Sequence, residues 1–312
     1  MSFWEKKNVV VTGANGFIGA WLCEKLIKEG AIVTGFVHGD LGLLKMHGLA
    51  EKVKAVKGDV RNPSELKTAF CDKPVVCFHL AAVSSIRDAS KSLDLAFDIN
   101  VNGTKNILDT ATEVGTAVVF VSSVKTYGGQ TETCFSEEDE LLGKSVYAKS
   151  KIAAEANCKK ASETGLSVAI ARLGNVFGGK DSNLTRLVPG AIKQILDKKQ
   201  PQVTGKGESL LDFVYVEDVV EGLLLLGEKA VEGKFNADAF NFGSGEFHSV
   251  KDVVEILLGF AKSSQKIIFS GEEKVCKEKL CIEKAENELG WKPKNSLKDG
   301  LEKAFGQFKE SL

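Results

Sequence analysis

Apolar residues fall into two alternating rhythms along the first half of the chain. Short, mainly apolar runs stand at 8–12 (NVVVT), 31–37, 53–56, 75–79, 117–121 and 167–171. Unbroken runs of this length are the pattern of strands buried on both faces of a parallel sheet. Between them, Phe17, Ile18, Trp21, Leu22 and Leu26 recur at helical spacing, and Gly30 marks the stop. The same spacing predicts helices over 100–113 and 145–162. Strands alternating with such helices predict βαβ units and an α/β fold around a parallel sheet.

After Arg172 the rhythm changes. Residues 174–183 read as a loop, 187–197 as a helix, 213–216 as a strand and 219–226 as a helix. A further short strand closes at 241–243. Helices over 250–261 and 296–308 flank a lysine-rich stretch. This part reads as a smaller lobe beside the sheet.

Length and composition add limits. At 312 residues the chain suits one large α/β unit or two domains. Lys and Arg number 41 against 42 Asp and Glu, so no charge surplus marks a nucleic-acid or membrane-surface binder. No apolar segment approaches the roughly 18–20 residues that cross a bilayer. The seven cysteines form no C-x-x-C, and with four histidines they predict no metal site. An odd cysteine count in a chain this long points to thiols and a reducing, cytoplasmic setting.

Chemistry begins at the first strand-to-helix turn, T-G-A-N-G-F-I-G. Gly13, Gly16 and Gly19 permit a tight turn and a close backbone approach to a pyrophosphate, with Asn15, Phe17 and Ile18 between them. The helix N-terminus offers N–H groups to phosphate. A carboxylate that reads the ribose is expected near the end of the second strand, where Asp40 stands; its alternative is a helix N-cap for 41–49. No arginine accompanies it, which favours NAD over NADP, although His38 or Lys45 could meet a phosphate. Asp59, in G-D-V, either faces the adenine or holds a turn.

Tyr147 and Lys151 form Y-x-x-x-K on one helix face. A free tyrosine, with a pKa near 10, is a poor base. A cation one turn away favours the phenolate. The pair can then remove a proton from a substrate hydroxyl. Ser123, at a strand end, can hold the reacting oxygen.

With these motifs on the page, the chain resembles the extended short-chain dehydrogenase/reductase family. It is similar in particular to nucleotide-sugar epimerases and to CDP-glucose and GDP-mannose 4,6-dehydratases. The resemblance runs through V-T-G-A-N-G-F-I-G, G-D-V at 58–60, H-L-A-A at 79–82, D-I-N-V-N-G-T at 98–104 and S-S-V-K-T-Y-G at 122–128. It continues in Y-A-K-S-K at 147–151, R-L-G-N-V-F-G at 172–178, D-F-V-Y-V-E-D-V at 212–219 and L-G-W-K-P at 289–293. It implies a Rossmann-type doubly wound parallel sheet with a smaller C-terminal substrate-binding lobe. The dinucleotide-binding part would be 1–174 plus 212–245, and the lobe 175–211 plus 246–312. It also implies transient oxidation of a sugar at C4 by NAD, with Tyr147 as base, Lys151 as its support and Ser123 on the oxygen. Val60, Leu80, Ala81, Ala82 and Asn100 join the cofactor side, and Asn100 is expected to support the helix near the active site. Ser84, Lys125, Asn175, Arg186 and Leu187 join the substrate side. Arg172 is expected in a structural ion pair. A nucleotide-sugar substrate and a homodimer through the helices 100–113 and 145–162 complete the expectation.

Two positions depart from that pattern. The residue after the family's Ser or Thr is an aspartate in 4,6-dehydratases and is Val124 here. Valine cannot deliver a proton, so 4-epimerisation is favoured over dehydration. Lys125 is either a replacement acid or a surface lysine. Leu211 stands where the family carries an arginine for a substrate phosphate, which leaves Arg186 the best phosphate ligand. Other readings are a 4,6-dehydratase, an NAD(P)-dependent reductase of a smaller carbonyl substrate, and a non-catalytic dinucleotide-binding regulator. The intact Ser123, Tyr147 and Lys151 set speaks against the last.

Overall fold

The computed structural model describes residues 2–84, 86–233, 235–272 and 275–310. Six strands, β1 (Asn8–Thr12), β2 (Ile32–Val37), β3 (Lys54–Lys57), β4 (Val76–His79), β5 (Ala117–Ser123) and β6 (Val168–Leu173), share one sheet with the later strand Asn236–Phe242. The order is β3-β2-β1-β4-β5-β6 and then Asn236–Phe242. Every pairing from β3 to β6 is parallel, and Val9 stands between Val33 and Val76. This is the doubly wound order, which reverses between β1 and β4 and opens a crevice at the carboxyl ends of those strands.

The apolar runs are strands because helices cover both faces. Val9, Val10, Val11, Val76, Cys77 and Phe78 are at most 1% exposed. Ile107, Leu108 and Ala111 of the helix Gly103–Val114, with Ala154 and Cys158 of the helix Val146–Glu163, share a core with Val10, Val118 and Val168. Each large side chain buried there contributes roughly 1.5–3 kcal/mol.

Some elements differ from the sequence reading. Only Leu43–Met46 is helical within 41–49, because Gly42 and Gly48 bound it with φ of 45° and 66°. The predicted helix 100–113 is a π-helical turn, Asp98–Asn102, running into the α-helix Gly103–Val114. The helix at 219–226 extends over Val216–Val231.

The chain divides into two compact units. The first is Met1–Gly128, Glu137–Leu173 and Val220–Phe240, and the second is Gly129–Ser136, Gly174–Val219 and Asn241–Leu312. The second is built from short strand pairs. Phe213–Tyr215 lies beside Asn175–Phe177, and Leu210–Leu211 lies between His248–Ser249 and Lys277–Glu278. Two aspartates tie its loops. The buried Asp212 carboxylate accepts from Ser244 N and Oγ, Gly245 N and Leu280 N. Asp218 accepts from Lys294 N, Asn295 N and Asn295 Nδ2.

The cysteines require a correction. Cys134 and Cys281 are joined by a disulfide across 147 positions of sequence. Pairing of the flanking backbone makes it: Phe135 N donates to Lys279 O at 2.7 Å and Cys281 N to Phe135 O at 2.8 Å. Spacing alone does not disclose such a long-range approach; five of the seven cysteines remain thiols, and the expectation of thiols is corrected for this pair. Cys23, Cys77 and Cys158 are buried, which pushes their thiols up. No helix among the described residues is long and apolar enough to cross a membrane.

Candidate active site

β1 ends at Thr12, and Gly13 turns the chain with φ of 68°. A Cβ on Gly13 would stand 2.9 Å from Ala81 N, and one on Gly19 would stand 2.2 Å from Gly13 O. Only glycine fits both places. The helix Phe17–Lys28 starts directly after Gly16, which offers no side-chain cap, and has no acidic residue in its first turn. Its N–H groups and positive dipole end therefore suit an anionic group, which fits the pyrophosphate of a dinucleotide. Phe17 is buried and Ile18 half-buried.

Asn15 joins this turn to the loop after β2. Its Nδ2 donates to His38 O at 3.0 Å and to Asp40 O at 2.8 Å, and its carbonyl accepts Leu43 N at 3.2 Å. Asp40 is exposed. Its Oδ1 accepts Gly42 N at 2.9 Å, and Gly42, not Asp40, occupies the cap of Leu43–Met46. Asp59 is gripped by Arg61, whose Nε and an Nη lie 2.9 and 2.6 Å from its two oxygens. Those bonds hold the carboxyl down to about 2. Val60 is buried against Gly103, while Leu80, Ala81 and Ala82 are half-buried after β4.

Ser123 closes β5, and its Oγ accepts Lys125 N at 3.3 Å. Val124, the next residue, is 1% exposed. Tyr147 stands in the first turn of the helix Val146–Glu163, capped by Ser145, whose Oγ accepts Ala148 N at 3.1 Å. Lys151, one turn on, is buried. Its Nζ donates to Val121 O at 2.7 Å and lies 4.7 Å from the centre of the Phe120 ring. Burial lowers its pKa to about 8, against the pull of Cys158 and Glu155. Asn100, in the π turn, accepts Val83 N at 2.8 Å and donates to Ser150 Oγ at 2.8 Å.

Behind this set Arg172 makes the expected buried ion pair. Its Nη2 lies 2.8 Å from Glu155 Oε2, and its Nη1 donates to Tyr127 OH and Glu137 O, both at 3.0 Å. Ser122 Oγ donates to Glu155 Oε1 at 2.5 Å. Glu155, Tyr127 and Ser122 went unnoticed in the sequence. Helical spacing from Lys151 to Glu155 is the signal that was available.

The structure thus joins Ser123, Tyr147, Lys151 and Asn100 within the first unit. Ser84 lies there too, exposed, and Lys125 is half-buried. Asn175, Arg186 and Leu187 belong to the second unit. Asn175 N and Nδ2 both donate to Asp212 O, at 2.8 and 3.0 Å. The Arg186 guanidinium is pinned to the buried Asp181 at 2.9 Å, and half-buried Leu187 opens the helix Leu187–Leu196. Leu211 is half-buried in its strand.

Strand order, glycine turn and the buried Tyr–Lys pair define a dinucleotide-dependent enzyme of the doubly wound class. The model of the NAD dependent epimerase/dehydratase family matches residues 9–243, and the chain belongs to that family. The chain is 30% identical to UDP-N-acetyl-alpha-D-glucosaminuronate decarboxylase of Bacillus cytotoxicus, over 98% of each protein. It is 27% identical to CDP-glucose 4,6-dehydratase of Salmonella typhimurium, over 96% of this chain and 90% of that protein. It is also similar to the crystal structure of UDP-glucuronic acid 4-epimerase from Bacillus cereus, in complex with UDP-glucuronic acid and NAD. There the TM-score is 0.87 at 25% identity, over 98% of this chain and 100% of that one. The cofactor is NAD.

Proposed function

We propose that the protein is a nucleotide-sugar 4-epimerase. Val124 carries this reading. It follows Ser123 directly, is 1% exposed, and puts no ionisable group where elimination of a sugar hydroxyl needs a proton donor. NAD, when bound, supplies the oxidising power at the sugar C4 carbon and then reverses it. The protein's part is proton handling and orientation. Tyr147 takes the proton of the 4-hydroxyl and later returns it to the same oxygen. Lys151 stands one turn along the helix as a buried cation and favours the phenolate. Ser123 donates to the 4-oxygen and fixes its place. Asn175 and Leu187 are the residues this reading assigns to substrate contact. Arg186, held in advance by Asp181, is the residue this reading assigns to the diphosphate. This reading also carries a homodimer through the helices Gly103–Val114 and Val146–Glu163, which light scattering tests.

A second reading rests on the full-length similarity to a nucleotide-uronate decarboxylase. Oxidation at C4 of a uronic acid makes a β-keto acid, which loses carbon dioxide without a protein acid at position 124. Mass spectrometry and proton NMR on UDP- and CDP-sugars, uronic acids included, separate the cases. An isomer of unchanged mass supports epimerisation. A product lighter by water or by carbon dioxide overturns it in favour of dehydration or decarboxylation.

A further inference from the structure

His79 ends β4, is 1% exposed, and has a hydroxyl at each ring nitrogen. Thr12 Oγ1 lies 2.7 Å from Nδ1, and Thr104 Oγ1 lies 3.0 Å from Nε2. The neighbours settle which way these bonds run. Thr104 Oγ1 is 2.6 Å from Asn100 O, and a carbonyl only accepts, so the single hydroxyl hydrogen of Thr104 goes there. Thr104 therefore receives its bond from the ring, and Nε2 carries the hydrogen. Burial and the nearby Lys151 charge hold the ring down to about 3, so it is neutral and Nδ1 is bare. Thr12 donates to Nδ1 and accepts Ala81 N at 3.2 Å. One directed chain results: Ala81 N–H to Thr12, Thr12 to His79, His79 to Thr104, Thr104 to Asn100 O.

The chain ends on a residue with a second task. The Asn100 side chain accepts Val83 N and donates to Ser150 Oγ, which donates to Tyr147 O at 2.8 Å. Asn100 is thus fixed from both sides, by its carbonyl and by its amide, within a π turn, a geometry that is rare and concentrated at functional sites. The groups facing His79 from adjoining elements are two hydroxyls, the Phe120 ring at 5.8 Å and the Lys151 cation. None of them draws a second proton onto the ring.

We propose that His79 is a positioning residue. As a fixed neutral Nε2–H donor it locks Asn100 through Thr104, and Asn100 sets the first turn of the helix that carries Tyr147. The proposal deepens the Tyr147 reading and rests on it for its kinetic consequence only.

Two variant pairs test it. Thr104→Val keeps the shape and removes the link, and Thr104→Ser restores it. At position 79, Gln places a donor where Nε2 stands, and Asn keeps only the Nδ1 side. The chain has three tyrosines, Tyr127, Tyr147 and Tyr215, so ring-labelled tyrosine gives three NMR signals. We expect Thr104→Val and His79→Asn to move or broaden the Tyr147 signal alone. They should lower kcat about tenfold while changing KM and NAD affinity less than about twofold. Thr104→Ser and His79→Gln should restore both readouts. An unmoved Tyr147 signal in Thr104→Val overturns the proposal, as does equal activity of the Gln and Asn variants where the wild type turns over a nucleotide sugar. A Tyr147 signal that moves in a protein turning over no nucleotide sugar would instead sink the epimerase reading and leave the positioning role standing.

Discussion

Lys151 Nζ donates to the carbonyl of Val121 at 2.7 Å, two residues before Ser123 on the same strand. One bond thus ties the helix of Tyr147 to the strand end of Ser123. It also means a cation is held out of water. Burial lowers the Lys151 pKa from 10.5 to about 8, so below pH 8 the fold carries the full penalty of a charged ammonium. An unfolded chain binds that proton more tightly, so the penalty is relieved as pH rises from 8 towards 10.5. Lys151→Met should therefore stabilise the protein at pH 7 by about 2 kcal/mol, after allowing for the lost hydrogen bond. Urea unfolding at pH 7 and pH 10 checks this. A variant no more stable at neutral pH, or an advantage that grows with pH, contradicts it.

Arg172 and Glu155 form a buried charge pair, with side chains 4% and 2% exposed. Breaking such a pair leaves one charge uncompensated. Arg172→Met should cost about 3–5 kcal/mol, and adding Glu155→Met should recover part of the loss. Single variants within about 1 kcal/mol of the wild type in denaturant titrations would show that water reaches the pair.

What the sequence made legible follows chain-local physics. Buried runs, the glycine turn and the Tyr147–Lys151 spacing need only periods of one strand or one helical turn. The π turn at Asp98–Asn102 leaves no mark on apolar periodicity, since one extra residue in a turn changes no residue type. Asp59 looked like a ligand because Arg61, two residues on, gave no sign that it would fold back on it in two places. His79 was visible as a letter in H-L-A-A, but its hydroxyl partners come from β1 and from the helix Gly103–Val114. The Cys134–Cys281 approach needs the second unit's strand pairing before it exists at all.

That disulfide gives a prediction of its own. Unfolding without reductant should expose five alkylatable thiols, and unfolding after reduction all seven. A closed separation of 147 residues limits the unfolded chain, worth up to about 5 kcal/mol on the chain-entropy account. Reduction should lower the melting temperature, and Cys134→Ser should match the reduced protein and ignore reductant. Seven reactive thiols in the unreduced protein would contradict the pairing.

Tyr147→Phe removes only the hydroxyl of a ring that is 8% exposed and packed with Ala89 and Ala96. Turnover should fall to background while NAD, released by denaturation and measured, stays at the wild-type ratio. Near-normal activity would remove Tyr147 from the reaction.

Val124→Asp asks what the missing acid is worth. The side chain at 124 is 1% exposed, so a carboxyl placed there loses most of its water. Desolvation favours its protonated form and raises its pKa, which makes it an acid at neutral pH rather than a fixed anion. The fold should pay about 1–3 kcal/mol for the buried polar group, seen as a lower melting temperature. In return, on the proposed epimerase reading, a nucleotide sugar with a C6 hydroxyl should yield some product lighter by one water beside the epimer. If the variant folds, still epimerises and forms no lighter product, then Val124 is not the sole barrier, and the substrate is held with C6 away from position 124.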